Sequence, residues 1–535
     1  MRTKDHTVIF LLSALFFLPF LGAVHLFDWD EINFAESARE MLLTGNWFQV
    51  QINFQPFWEK PPLFFWLQAL GMHILGVSEY AARLPNAVAG LITLQVIFMI
   101  GKRWHDRRFA WIWVLLYLGS FLPHLYFRSG IIDPWFNLFI FLSVYFLYLV
   151  LEHGPTNRSR NALLAGMFSG LAILTKGPVG LLILMLTFLV WLGAKKFRPH
   201  IPWKEVAFFT LACFAVTTFW FGFETFKNGP WFLNEFLAYQ VDLLLNPVAG
   251  HKQPFFYHFA VVLLGCFPLS VLALPSFSTS FSGDSNAFSR WMKFLFWVVM
   301  ILFSLVTTKI VHYSSMAYLP LAYLAALVVH RWIVSGQEIR SWQRHWILFQ
   351  GGIIGFAIMA LPILLAWKEK WLHWITDPFV RENFSVEVQI SGWEWLIGAG
   401  YLFCVFVTWI WIREQPLRAI RLLTLSTATT IFFTLLVLVP KIERITQGST
   451  ISFFEQHSQQ DVYLDTYGYK SYAHYFYGKV TSVSAHTMDE HALHGADKRV
   501  FISVRMNRIE RFMDEYPNAV FLYDAGGFHF YRLDP

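Results

Sequence analysis

The sequence predicts an all-α polytopic membrane protein that carries a small C-terminal α/β domain. Three observations lead there. Of 535 residues, 56% are hydrophobic and only 14% charged, with a mean hydropathy of +0.46, which exceeds what a water-soluble core needs. Apolar runs recur along the chain, each about long enough to cross the roughly 30 Å hydrocarbon layer as a helix. After Lys441 the pattern changes to short alternating stretches broken by polar turns.

About thirteen transmembrane helices are expected, near residues 7–27, 80–101, 109–127, 131–151, 161–175, 178–194, 205–223, 255–275, 291–308, 312–330, 346–366, 393–412 and 420–440. Arg2 and Lys4 precede the first run and no small-residue cleavage site follows it, so it reads as a retained span. Basic clusters at Lys102–Arg108, Arg158–Arg160, Lys195–Arg198, Arg290–Lys293, Arg331–Arg344 and Arg413–Arg421 share one side on this count. That side, with the N-terminus, is expected to be cytoplasmic. The same loops account for the net charge of +6, so nucleic acid is not the expected partner. The stretch 61–76 opens on Pro61-Pro62 and is short; a full crossing there would invert every later basic loop, so it is expected at the interface. Cys213, Cys266 and Cys404 lie in apolar runs and imply no disulfide framework.

Residues 1–445 form the expected membrane domain, with its first external loop at 28–78, and residues 446–535 the expected external α/β domain. Strands are predicted at 461–467, 479–485, 498–504 and 519–524, with helical pieces at 471–478, 488–495 and 507–516 and a hairpin turn at Gly526-Gly527.

The 28–78 loop is where chemistry is expected. It holds Asp28, Asp30, Glu31, Glu36, Arg39, Glu40, Glu59 and Lys60, too many charges for hydrocarbon. Ile32, Phe34, Ala35, Ala38, Met41 and Leu42 recur at helical spacing, and Gly45 stops the helix. Glu31 and Glu36 read equally well as helix N-terminal acids. Asp30 sits at the membrane edge, where partial desolvation suits a general base. Asp28-Trp29-Asp30 also matches a short metal pattern of low specificity. In Trp58-Glu59-Lys60-Pro61-Pro62 the prolines fix where Lys60 points, although a lysine there can also snorkel to lipid phosphate. Asp133 and Arg128 flank a tight turn between two apolar helices, where ionisable groups are costly. Lys176 and Lys309, the latter followed by His312 and Tyr313, each read as a helix-end residue. Together they put cations on the external face, which an anionic ligand explains. His251 reads from spacing alone as a surface histidine.

These strings together resemble lipid-linked-sugar glycosyltransferases of the GT-C fold, nearest the bacterial 4-amino-4-deoxy-L-arabinose transferases that modify lipid A and related to the dolichyl-phosphate-mannose protein mannosyltransferases. The likeness is carried by Asp30-Glu31, Ala35-Glu36 to Met41, Phe57 to Pro62 with its Glu-Lys-Pro-Pro core, Ala82 to Pro85, Asp133, Leu174 to Gly177, His251 to Phe255 and Lys309 to Pro320. Asn33-Phe34 stands where the arabinose transferases often have Arg-Tyr. The resemblance implies Asp30 and Asp133 as catalytic acids, Lys60 as a donor-phosphate contact and Glu59 with His251 as ligands of a divalent ion, zinc or magnesium. On the residue chemistry Arg128, Lys176, Lys309 and Tyr313 are further candidates to face the phosphate. The expected partners are membrane lipids, a polyprenyl-phosphate sugar donor and a glycolipid acceptor such as lipid A or lipopolysaccharide, on the periplasmic side of a bacterial inner membrane. No nucleotide is expected, because the donor is already activated. The rival readings are a protein O-mannosyltransferase and a transporter or flippase of a lipid-linked sugar. Transporters often show internal repeats and midplane charges; the sequence shows no repeat, and its unusual charges gather at one face.

Overall fold

The structure is a computed structural model that describes residues 2–28, 30–154, 156–199, 202–245, 253–278, 286–482 and 496–535. Among them, seven helices are long and apolar enough to cross a membrane. An eighth crossing results if Tyr257–Gly265 and Leu269–Phe277, bent by 104° to one another, form one span. The expected spans at 7–27, 109–127, 161–175, 178–194 and 393–412 fall on helices that are shorter or less apolar than these seven, so length and composition alone do not reach thirteen.

The chain begins with α1 (Arg2–Phe17), then turns into α2 (Asp30–Thr44). The α2 helix is the one the periodicity predicts, and Gly45 ends it at a φ of +67°, a conformation glycine adopts without strain. A two-strand ribbon of β1 (Gln51–Ile52) and β2 (Gln55–Pro56) follows, then α3 (Leu63–Leu75), a short apolar helix in the stretch expected at the interface. Next come α4 (Glu79–Trp104), α5 (Arg107–Leu118), α6 (Phe121–Tyr126), α7 (Asp133–Glu152), α8 (Arg158–Lys176), α9 (Val179–Ala194), α10 (Trp203–Asn228), α11 (Trp231–Leu245) and α12 (Tyr257–Gly265).

One buried residue ties the first loop together. Arg83 of α4 donates to the carbonyls of Leu21, Val24 and His25 at 2.7–2.8 Å and to both carboxylate oxygens of Glu31 at 3.0 and 2.8 Å. All five guanidinium hydrogens are thereby used. Burial would push Glu31 upward, but the Arg83 charge and hydrogen bonds, with the N–H groups of Phe27 and Gly130, hold its carboxyl below the usual range. Glu31 is therefore a structural anchor at the start of α2.

The last long helix runs from Pro416 to His457, past the expected boundary at 445, with π-helical turns at Thr434–Leu438 and Arg444–Gly448. From this region Glu443 meets His25 at 3.0 Å and Gln447 donates to the Leu26 carbonyl at 2.8 Å. The sheet that follows has the order β3-β4-β6-β5, with β3 (Tyr463–Tyr467), β4 (Val500–Arg505), β5 (Val520–Ala525) and β6 (Phe528–Leu533). Strands β3 and β4 are parallel and the other pairs antiparallel. Gly526 and Gly527 turn the predicted hairpin at φ values of +59° and +77°. The strand expected at 479–485 is not formed over its described residues, 479–482. The helix expected at 488–495 lies outside the described residues.

Candidate active site

Four separate segments bring charged groups to one place. Asp30 is the first residue of α2 and Asp133 the first of α7. Both carboxylates thus sit at helix N-termini, where the backbone dipole favours negative charge. Lys176 is the last residue of α8 and donates to Asp133 Oδ1 at 2.7 Å. The same oxygen accepts Ser315 Oγ at 3.2 Å, and Ser315 in turn accepts Asn137 Nδ2 at 2.9 Å. Ser315 belongs to a 3₁₀ turn, Val311–Ala317, that also carries His312 and Tyr313.

His312 stands between the two acids, with Nε2 at 3.8 Å from Asp30 Oδ2 and 4.0 Å from Asp133 Oδ2. The two acids differ in access: the Asp30 side chain is 42% exposed and that of Asp133 4%. Asp133 is a fixed, paired charge, whereas Asp30 is open to an incoming molecule. The Lys176 ammonium also lies 5.1 Å from the centre of the Tyr313 ring and 5.6 Å from that of Phe136.

Lys60 completes the group. Desolvation pushes its ammonium below the usual lysine range, while the charges of Glu59 and Asp30 act in the opposite sense, with Lys176 and Asp133 also in range. The amine donates to the Glu59 carbonyl at 3.3 Å and lies 5.2 Å from the Tyr239 ring centre. Tyr239, on α11, donates its hydroxyl to Glu59 Oε2 at 3.1 Å.

Two expected cations are turned elsewhere. Arg128 donates to the carbonyls of Phe16 and Pro19 at 2.6 and 2.8 Å, closing the end of α1, whose last carbonyls have no partner within the helix. Lys309 is buried and donates to the Val306 carbonyl at 2.7 Å at the end of the preceding helix. His251 lies outside the described residues. Among the described residues no three His, Cys, Asp or Glu side chains converge to hold a metal ion, and Glu59 is engaged by Tyr239. Asp28 faces away from such a pattern as well, accepting the Tyr472 N–H at 3.3 Å. Sequence reasoning missed Tyr239, Ser315 and Asn137, whose residue types carry no distinguishing signal in so aromatic a chain.

Beside the site lies a second buried cluster on α2. Arg39 makes a bidentate pair with Glu36 at 2.8 and 2.7 Å. Glu40 accepts the N–H groups of Asn53 and Phe54 at 2.6 and 2.8 Å, holding both in the left-handed region at φ of +54° and +57°, unusual for a residue as bulky as phenylalanine. Burial and the neighbouring Glu36 carboxylate push Glu40 up to about 9, so at neutral pH it holds a proton. The unfolded carboxyl, near 4.5, has lost that proton. The folded state therefore binds the extra proton between these two values, and stability falls as pH rises through that window. Glu40→Gln, which keeps a neutral side chain of similar size, is expected to flatten this part of the Tm-versus-pH curve. An unchanged slope in the variant would place the titrating group elsewhere.

Residues 59–220 match the family profile described as dolichyl-phosphate-mannose-protein mannosyltransferase. Over 359 residues the chain is 26% identical to an undecaprenyl phosphate-alpha-4-amino-4-deoxy-L-arabinose arabinosyl transferase of Aeromonas salmonicida, a stretch covering 66% of this chain and 65% of that relative. A Proteus mirabilis protein of the same description is 25% identical over 427 residues, 75% of this chain and 73% of that one. The matched stretch thus spans about two thirds of the length of the Aeromonas relative. In three dimensions the chain superposes on the crystal structure of ArnT from Cupriavidus metallidurans bound to undecaprenyl phosphate with a TM-score of 0.79 and 17% identity, covering 99% of this chain and 98% of that one. The fold is therefore GT-C, a multi-pass helical membrane body with a small sheet domain at its C-terminal end. Over the matched stretches the chain is similar to membrane glycosyltransferases, and it shares the fold of one of them.

Proposed function

We propose that the protein transfers a sugar from a polyprenyl-phosphate donor to a cell-envelope glycolipid such as lipid A, at the periplasmic face of a bacterial inner membrane. The observation that carries this reading is the pairing of an open carboxylate, Asp30, with an enclosed Asp133–Lys176 pair 4.0 Å or less from the same histidine. An acceptor hydroxyl bound beside Asp30 gives up its proton to that carboxylate as its oxygen bonds to the anomeric carbon. The bond from that carbon to the phosphate oxygen breaks, and its electron pair leaves with the phosphate. Lys60 and Lys176 stabilise the charge that develops there, with Tyr313 against Lys176. A single displacement inverts the anomeric centre.

The test is transfer by the purified full chain in lipid nanodiscs, supplied with undecaprenyl-phosphate sugars and lipid A and read by mass spectrometry of the glycolipid. Glycosylated acceptor is expected, and Lys60→Ala should lower kcat/KM by about 10²-fold. Movement of the donor lipid across the bilayer with no new glycosidic bond would replace this reading with a transporter, and a glycosylated polypeptide would replace it with a protein O-mannosyltransferase.

A further inference from the structure

One helix, α11, reaches the segments of both lysines that face the phosphate in the proposed reaction. Its Phe232, Phe236 and Tyr239 follow one another at intervals of four and three residues, so they share one face. Phe232 packs edge-on against Trp220 of α10, with ring centres 4.9 Å apart. Phe236 lies so close over Gly177, the residue after Lys176, that a Cβ on that glycine would come within 2.7 Å of its ring. Tyr239 reaches the Glu59-Lys60 pair: its hydroxyl donates to Glu59 Oε2 at 3.1 Å, and its ring centre is 5.2 Å from the Lys60 ammonium. At the start of the helix the Trp231 ring meets that of Trp58 edge-on at 6.2 Å. Three consecutive residues, Trp58, Glu59 and Lys60, are thus held from α11.

We propose that Tyr239 is a positioning residue for Lys60, which keeps the Glu59 carboxylate from closing on the ammonium and so leaves that charge to the phosphate of the bound lipid. Glu59 is the immediate neighbour of Lys60 in the chain, and its carboxylate is the nearest rival of a phosphate for the same cation. Among the described residues, the hydrogen bond of the Lys60 ammonium goes to the Glu59 backbone carbonyl at 3.3 Å, while the carboxylate is taken up by the phenol. An ammonium has three N–H groups, so two remain to meet an anion. The ring face of Tyr239 attracts the ammonium through its quadrupole. Such a contact fixes where the charge stands without neutralising it, which an ion pair would do.

This inference rests on Lys60 facing the donor phosphate, and the experiment separates the two. Binding of undecaprenyl phosphate without sugar, and KM and kcat with the sugar-bearing lipid, are measured on the full chain in nanodiscs. The proteins are wild type, Lys60→Ala, Tyr239→Phe, Glu59→Gln and the double variant Tyr239→Phe/Glu59→Gln. Tyr239→Phe keeps the ring and removes the hydroxyl; it is expected to weaken bare-lipid binding and raise KM about fivefold, the scale of a single hydrogen bond, with kcat and Tm near wild type. In the Glu59→Gln background the same exchange should cost less than about twofold, because an amide does not neutralise the ammonium. Wild-type affinity in Tyr239→Phe, beside a loss in Lys60→Ala, would overturn the role of Tyr239 and leave Lys60 at the phosphate. A loss in Tyr239→Phe that is as large with Glu59→Gln as without it marks a purely structural tyrosine and would overturn the role as well. Undiminished lipid binding by Lys60→Ala would remove Lys60 from the phosphate, and the role of Tyr239 with it.

Discussion

Asp30→Asn is expected to cut the rate of sugar transfer by about 10²–10⁴-fold, the usual worth of a positioned general base, while Tm and donor binding stay near wild type. The separation follows from access. The Asp30 side chain is 42% exposed and 3.8 Å from His312, and the Lys60 ammonium that it helps to hold also keeps the charge of Glu59, so an amide of the same shape leaves no buried charge without a partner. Asp133→Asn is not an equivalent probe, because Asp133 holds Lys176 at 2.7 Å in a buried pair and its loss disturbs packing as well as chemistry. Single-turnover transfer with pre-bound donor isolates the chemical step. Wild-type turnover by Asp30→Asn would remove this carboxylate from the mechanism and move the base to another group.

Arg83→Leu is expected to cost about 3–5 kcal/mol of stability, the range for stripping one partner from a buried ion pair. The substitution leaves Glu31 charged and enclosed and strands three carbonyls at the end of the first turn, those of Leu21, Val24 and His25. Thermal unfolding in detergent reads the loss. The double variant Arg83→Leu/Glu31→Leu should be closer to wild type than Arg83→Leu alone, since no uncompensated carboxylate remains. Equal destabilisation of single and double variants would show that the carbonyl contacts, and not the ion pair, hold the loop.

The same physics explains what the sequence conceals. The α2 helix was legible because its apolar residues keep one face and Gly45 ends it, and Asp30, Lys60, Asp133 and Lys176 stood out as charges in apolar surroundings; the structure brings all four together. Arg128 and Lys309 stood out for the same reason, yet both serve helix ends. A sequence shows that a cation is out of place but not which unsatisfied carbonyl lies within its reach. Glu31 and Arg83 are 52 residues apart, and no local pattern announces such a pair. Tyr239 is one of 20 tyrosines, distinguished only by where a remote segment places it. The last helix runs on to His457, past the expected boundary at 445.

That helix, Pro416–His457, has a mechanical meaning. At 1.5 Å per residue its 42 residues measure about 63 Å, roughly twice the hydrocarbon thickness. Its second half carries the sheet directly, the Phe453 ring centre lying 4.4 Å from that of Phe530, so the sheet is joined to the helical body by a continuous helix and not by a loose tether.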